Sequence, residues 1–359
     1  MRTTAVHQLV SGFGQGDAIS HEALALRAIC RDLKFPSDVY APMDRIADDM
    51  RTHCYPIEDF RGKPSDVVIC HYSIASPATE VFLSAPGRKV LIYHNITPAE
   101  FYQPFDAAIT EQLVQARVGL KDTALRADAV WADSAFNASE LRSAGVENAK
   151  VFQLLFTPAA MDIPPDPVVL DQFAPPMKNI LFVGRIAPNK CVEDLVTAFA
   201  WYHRKIEPHS RLIIVGSDRS APTYFAMLRM YAGELELPNV CFQRFASPAG
   251  LSAYYQLADV FVTASRHEGY CLPLVEAMYK GVPVVAREVG GVPEALGGAG
   301  VMYDDLKPEE LAELLALVLK DDHLRQAILE SQKKRIAEVL KRPMQEEFLS
   351  LLSELIPSA

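Results

Sequence analysis

The chain is short of the features that classify a protein fastest. Its 359 residues hold 35 lysines and arginines against 45 aspartates and glutamates, a formal net charge of −10. That balance argues against a nucleic-acid surface, which needs clustered excess basic residues. No apolar run approaches the ~18 residues that a membrane span requires, and Met1-Arg2-Thr3-Thr4 does not lead into an apolar signal core. A cytoplasmic protein is expected, with loose peripheral docking at the inner face of the membrane left open. The six cysteines (Cys30, Cys54, Cys70, Cys191, Cys241 and Cys271) contain no Cys-x-x-Cys pair. Neither a zinc site nor a disulfide framework is indicated, and Cys70, ending the run Val67-Val68-Ile69, reads as a small buried hydrophobe. A dinucleotide fingerprint is also missing. The stretch Gly12-Phe13-Gly14-Gln15-Gly16 has Gly-x-Gly-x-Gly spacing, not Gly-x-Gly-x-x-Gly, and this disfavours a NAD-dependent dehydrogenase.

What is present is an ordinary globular balance, 50% hydrophobic and 22% charged, in a chain too long for one compact core. Short apolar runs alternate with longer periodic segments, the pattern of parallel sheets with helical crossovers. Strands are expected at 5–10, 66–71, 90–94, 129–132 and 150–154, with helices at 19–33 and 107–126 between them. Six prolines then crowd residues 157–177, a density that reads as a linker. The alternation restarts with strands near 179–184, 211–216, 240–242, 260–263 and 283–286 and a helix near 192–204. Two amphipathic helices follow over 306–340. The expected fold is α/β, with two doubly wound Rossmann-like domains at 1–160 and 161–343 and a ligand cleft between them. A last apolar-striped helix within 344–359 is expected to pack back on the first domain.

The most informative stretch is Ser265-Arg266-His267-Glu268-Gly269-Tyr270-Cys271-Leu272-Pro273-Leu274-Val275-Glu276. It follows an apolar strand and opens a helix. Backbone N–H groups from Gly269 through Tyr270 and Cys271 to Leu272 lie at the positive end of the helix dipole, an anion site. Glu268 and Glu276 flank it and suit the hydroxyls of a sugar and a ribose on either side of a diphosphate. A second element, Gly184-Arg185-Ile186-Ala187-Pro188-Asn189-Lys190, follows the first strand of the second domain. There Arg185 and Lys190 can clamp a pyrophosphate and stabilise it as it leaves. In the first domain, the glycine loop 12–17 and His94, ending the strand before Asn95-Ile96-Thr97-Pro98, are the notable features. His71 and Tyr72 end the strand before that one.

These segments together resemble the large family 4 type of retaining GT-B glycosyltransferases, which includes many bacterial mannosyltransferases and glucosyltransferases. The resemblance runs in order along nearly the whole chain and includes Gly290-Gly291-Val292-Pro293-Glu294 and Trp131-Ala132-Asp133-Ser134. It implies that Glu268 contacts the donor sugar, Glu276 the ribose, and Arg185 and Lys190 the diphosphate. Gly14 and Gly16, with Asp17 beside them, would let the backbone approach the donor phosphate. His94, Tyr72 and Asn95 would face the acceptor, and His267 would shape the donor pocket. One departure is Tyr270-Cys271-Leu272-Pro273, where Phe-Gly-Leu-Pro is commoner.

No Asp-x-Asp occurs, so neither a metal clamp nor a cofactor is expected, and retention by front-face attack is inherited from the family. The implied partners are a nucleoside-diphosphate sugar, mannose preferred, and a saccharide or lipid-linked saccharide acceptor. The sequence assigns no oligomeric state. The rival readings are a sugar-nucleotide epimerase, a phosphorylase, and an idle sugar-nucleotide-binding protein. Epimerases need acid/base carboxylates at the cleft, phosphorylases a cofactor lysine that nothing singles out, and an idle protein would usually have lost Glu268, Arg185 or Lys190.

Overall fold

The computed structural model describes residues 4–356. The chain forms two compact units: the first runs to Leu155 and resumes at Pro343, and the second is Phe156–Arg342. In the first unit the order is β1 (Val6–Leu9), α1 (Ala18–Asp32), β2 (Val39–Ala41), β3 (Tyr55–Pro56), β4 (Val67–Tyr72), α2 (Pro77–Ser84), β5 (Arg88–Tyr93), α3 (Ala107–Leu125), β6 (Ala129–Ala132), α4 (Ala135–Ser143) and β7 (Lys150–Val151). The second unit opens with α5 (Pro158–Met161) and α6 (Pro167–Gln172), then β8 (Lys178–Val183), α7 (Val192–Lys205), β9 (Ser210–Val215), α8 (Pro222–Glu234) and β10 (Val240–Gln243). It continues through α9 (Pro248–Leu257), β11 (Val260–Thr263), α10 (Leu272–Tyr279), β12 (Val284–Arg287), α11 (Val292–Leu296), β13 (Val301–Tyr303), α12 (Pro308–Lys320) and α13 (Asp322–Leu340). The last helix, α14 (Met344–Ser353), belongs to the first unit.

Both sheets are parallel. The first has the order β3-β2-β1-β4-β5-β6-β7 and the second β10-β9-β8-β11-β12-β13. Strands such as Val67-Val68-Ile69-Cys70-His71-Tyr72 are buried along their whole length, as expected where helices cover both faces. Helix α1 lays Ala23, Leu26 and Cys30 on its sheet. Helix α14 inserts Phe348 and Leu352 into a core with Trp131 and Phe152, and the Phe348 and Trp131 rings meet edge to face at 6.0 Å.

Two expectations change. The prolines of 157–177 do not make a plain linker: Pro158 and Pro167 each sit in the first turn of a short helix, where the missing N–H costs nothing. The second unit also starts earlier than residue 161. The Phe156 ring packs at 5.2 Å on Tyr279, whose hydroxyl donates to Asp162 at 2.8 Å, so this segment is held by α10. The short strands β2, β3 and β13 were not anticipated. Among the described residues no helix is long and apolar enough to cross a membrane.

Candidate functional site

In each sheet the strand order reverses beside the first strand, at β1/β4 and at β8/β11. Loops leaving the carboxyl ends of such strands diverge and leave room for a ligand. In the second unit those loops carry Arg185 to Lys190 after β8 and Ser265 to Cys271 after β11. They are laced together: Arg266 N–H donates to the Asn189 carbonyl at 2.9 Å and Asn189 Nδ2 donates to the His267 carbonyl at 3.1 Å.

Across this lacing Lys190 Nζ donates to both oxygens of Glu268 at 2.7 Å. The side chains are only 16% and 6% exposed, so the pair is little screened by solvent. Burial alone would raise the Glu268 carboxyl, but Lys190 outweighs it and holds the group below the ordinary value of 4.5. The sequence placed Lys190 on a diphosphate and Glu268 on a sugar; the structure brings the two together. Arg185 is exposed at the start of the same loop.

Helix α10 begins at Cys271, whose φ of 73° is left-handed, and no side chain caps it. This explains why glycine is commoner at this position: a Cβ there is strained. Cys191, opening α7 beside Lys190, repeats the feature with φ 48° and no side-chain cap. Gly291 is required for a different reason. Its N–H donates to the Glu268 carbonyl at 3.0 Å, and a Cβ would lie 2.0 Å from the Gly269 oxygen.

Glu276 lies on the second turn of α10 and accepts from the Tyr255 hydroxyl at 2.7 Å. Burial raises its carboxyl above 4.5, and the Tyr255 bond only partly offsets this. The expectation at Tyr270 and Leu272 concerned their backbone N–H groups; both side chains are buried, the Tyr270 ring toward Arg335 and Glu294, and take no part.

In the first unit the residues come together differently from the expectation. Gln8 Nε2 donates to the Ala23 carbonyl at 2.9 Å, which turns its Oε1 toward His71 Nε2, also at 2.9 Å. His71 Nδ1 faces His94 Nε2 at 2.8 Å. The ring centroids are 5.0 Å apart with planes only 15° from parallel, so the rings lie edge to edge in one plane. His94 Nδ1 faces Asp133 Oδ2 at 3.2 Å and Glu22 Oε2 at 3.4 Å. Atoms of Glu22, His71 and His94 lie within 4.8 Å of one another as a hydrogen-bonded and ion-paired set, not as metal ligands: His71 Nδ1 and His94 Nε2 point at each other and not at a common centre.

The acceptor residues expected here are therefore corrected. The His94 side chain is 2% exposed and the protein occupies both ring nitrogens. Tyr72 is buried and donates to the Ala116 carbonyl at 2.8 Å, bracing α3. Asn95, at φ 74°, turns its Nδ2 inward to Asn137 Oδ1 at 2.6 Å, bracing α4. The glycine loop is also closed on itself. Gly14 N–H donates to Ser20 Oγ at 3.1 Å, and Asp17 caps α1 by accepting from Ser20 N–H at 2.9 Å. Gly16 is left-handed at φ 77° with open space around it.

Sequence reading missed Asn189, Gln8, Glu22 and Asp133 as members of these clusters. Glu22 left a signal, a carboxylate on the apolar stripe of α1 between Ala18 and Leu26; Asn189 left none.

Residues 172–335, which include Lys190, Glu268 and Glu276, match the family Glycosyl transferases group 1. The D-inositol 3-phosphate glycosyltransferase of Corynebacterium glutamicum (strain R) is 34% identical over 152 residues, 41% of this chain and 36% of that protein. The protein of the same description from Segniliparus rotundus is 32% identical over 186 residues, 47% of this chain and 41% of its own. The chain thus spans about two fifths of the curated relatives it matches. Among solved structures, sucrose-phosphate synthase from Thermosynechococcus elongatus superposes with a TM-score of 0.74 at 19% identity, covering 99% of this chain and 100% of that one. Anabaena HepE in complex with UDP-glucose gives 0.74 at 20% identity, covering 98% and 100%. At these identities the likeness is one of fold.

Proposed function

We propose that this chain is a retaining glycosyltransferase that moves a hexose, mannose preferred, from a nucleoside-diphosphate donor to a saccharide or lipid-linked saccharide. The observation that supports it best is the Lys190–Glu268 pair, set at the order reversal of the second sheet and flanked by helices α7 and α10 with uncapped left-handed starts. On donor binding, Lys190 and Arg185 neutralise the diphosphate together with the N-terminus of α10. Glu268 is then left to accept from sugar hydroxyls and Glu276 from the ribose. A ribose hydroxyl donating to Glu276 would stabilise a carboxylate that burial disfavours.

In the transfer step the acceptor oxygen attacks the anomeric carbon from the face the phosphate leaves. The acceptor O–C bond forms as the C–O bond to phosphate breaks, and the hydroxyl proton passes to the departing phosphate. The added charge falls on Lys190 and Arg185, so these cations stabilise the transition state more than the bound donor. His94 enters as a positioning residue. No metal is needed in this scheme, because the cations and the helix terminus do its work.

A panel of GDP- and UDP-sugars, followed for slow donor hydrolysis with and without EDTA, tests the proposal. Hydrolysis of one donor class, unchanged by EDTA, is expected. Absence of hydrolysis and of binding across the panel would refute the transferase reading. Activity lost to EDTA and restored by magnesium or manganese would refute its metal-free form.

A further inference from the structure

The buried cluster of the first unit has a proton arrangement that its hydrogen bonds dictate. Gln8 cannot be flipped: the other orientation would put its Oε1 against the Ala23 carbonyl and its NH2 against His71. Its Oε1 therefore accepts, and His71 carries its proton on Nε2. Burial, with His94 as a neighbour, holds the His71 pKa well below 6.5, so this ring is neutral and Nδ1 is an acceptor. His94 must then donate from Nε2. On its other side Nδ1 faces Asp133 Oδ2 at hydrogen-bond distance, with Glu22 Oε2 beside it as an ion-pair neighbour, and toward a carboxylate Nδ1 donates as well. A ring that donates from both nitrogens is an imidazolium. Burial alone would lower the His94 pKa, yet Glu22 and Asp133, with a contribution from Asp17, raise it above 6.5.

We propose that His71 and Gln8 are positioning residues that lock His94 as an imidazolium between Glu22 and Asp133, fixing the chain where it leaves β5. The elements facing His94 supply its whole setting: Gln8 from β1, Glu22 and Asp17 from α1, His71 from β4 and Asp133 after β6. The lock also holds the turn after β5. His94 N–H donates to the Tyr72 carbonyl at 3.0 Å, and the next residue, Asn95, turns through φ 74°. Asn137 ties Asn95 back to the cluster by donating from Nδ2 to Asp133 Oδ1 while accepting from Asn95 Nδ2. Loss of His71 leaves His94 Nε2–H without its acceptor, so the ring gives up a proton more easily and the turn loses its anchor. The effect of the lock on turnover rests on the transferase reading; the lock itself does not.

The test uses full-length protein labelled with 15N-histidine, with ring-nitrogen spectra recorded from about pH 5.5 to 8.5, either side of the ordinary histidine value of ~6.5. His94 should show two protonated nitrogens through neutral pH, and His71 a single proton on Nε2. His71→Leu should lose the imidazolium signature at a lower pH. It should also lower kcat for transfer about tenfold or more with donor KM within about twofold. His71→Asn places an amide oxygen near the Nδ1 position and should recover most of both readouts. Gln8→Met should release the His71 tautomer and fall between the two.

A wild-type His94 that is neutral at pH 7 overturns the lock. So does a His71→Leu protein with a wild-type spectrum and kcat. If His71→Leu does not fold, His71→Asn and Gln8→Met carry the same comparison. A chain with the predicted spectra but no transfer to any acceptor would keep the lock and sink the function. Transfer with a neutral His94 would do the reverse.

Discussion

In the second unit the carboxyl ends of β8 and β11 meet in one lysine–glutamate pair, flanked by helices that start at Cys191 and Cys271 without a side-chain cap. At the corresponding place in the first unit, the ends of β1 and β4 meet a network of Gln8, His71, His94, Glu22 and Asp133, and the neighbouring helix α1 is capped by Asp17. One doubly wound plan thus has two finishes. In the network both ring nitrogens of His71 and of His94 are taken by partners from within the unit, which suits a rigid wall. The pair has opposite charges whose partners a phosphate and a sugar hydroxyl could replace, which suits a ligand. Topology marks where a site can be in each unit, and the two places differ in how they are closed: one by a single lysine–glutamate pair, the other by a network drawn from five elements.

The largest effects should come from breaking the pair. Glu268→Gln should lower transfer roughly 30- to 1000-fold, a loss of about 2–4 kcal/mol of transition-state stabilisation. Lys190→Ala should do at least as much and also destabilise the second unit by about 3 kcal/mol, because it strands a buried carboxylate. The double change Lys190→Met with Glu268→Leu should restore stability but not activity, as urea unfolding and donor hydrolysis would show. Recovery of activity in the double variant would mean that the pair is only structural. Arg185→Ala, at an exposed position, should cost about tenfold in donor affinity, read by nucleotide titration.

The elements that sequence revealed best were those with a single strong pattern. Buried runs such as Ile180-Leu181-Phe182 and the periodic α7 and α13 fell within a few residues of their positions, because apolar spacing and secondary structure share one cause. The second-unit loops were legible because a strand, a glycine and a charged residue came one after another in order. The first-unit network was not. Gln8, Glu22, His71, His94 and Asp133 come from separate elements, and their meeting depends on sheet order, which no local spacing encodes. The sequence also cannot say whether a polar side chain at a strand end turns outward or inward; Tyr72 and Asn95 turned inward because Ala116 and Asn137 offered partners.

A smaller effect separates the two clusters by pH. Glu268 has a lowered pKa, so its contribution is full above the ordinary value of 4.5 and is lost as pH falls through the folded-state value. His94 has a raised pKa, so its contribution is full below the ordinary value of 6.5 and is lost as pH rises through the folded-state value. Acid should weaken the second unit through Glu268, and alkali should weaken the first through His94. The chain has two tryptophans, Trp131 in the first unit and Trp201 in the second, so Trp201→Phe and Trp131→Phe give one fluorescence reporter per unit. Denaturation midpoints of the Trp131 reporter that fall on going from pH 6 to 9, and do not fall in a His94→Gln background, are expected. A Trp131 midpoint that is flat over that range would remove the claimed difference between the units.

The smallest effect concerns the helix starts, and the two units should answer with opposite signs. In α1 the Asp17 side chain accepts from the Ser20 N–H at 2.9 Å, so Asp17→Ala should destabilise the first unit by about 1 kcal/mol through loss of a cap. In α10 the Cys271 backbone holds φ 73°, where a Cβ is strained and glycine is not. Cys271→Gly therefore relieves strain in the folded state, while the freer glycine lowers the entropy advantage of the native chain; the two together should leave a gain of about 0.5 kcal/mol. Cys271→Ala keeps the strained Cβ and should show no such gain. Urea midpoints from the two single-tryptophan reporters separate the changes, since each variant should move only its own unit. If Cys271→Gly instead lowers stability while Cys271→Ala does not, then the thiol itself is supporting the loop. The start of α10 would then be closed by Cys271 much as α1 is closed by Asp17, and the contrast between an open and a closed helix terminus would fail at the place where the donor is proposed to bind.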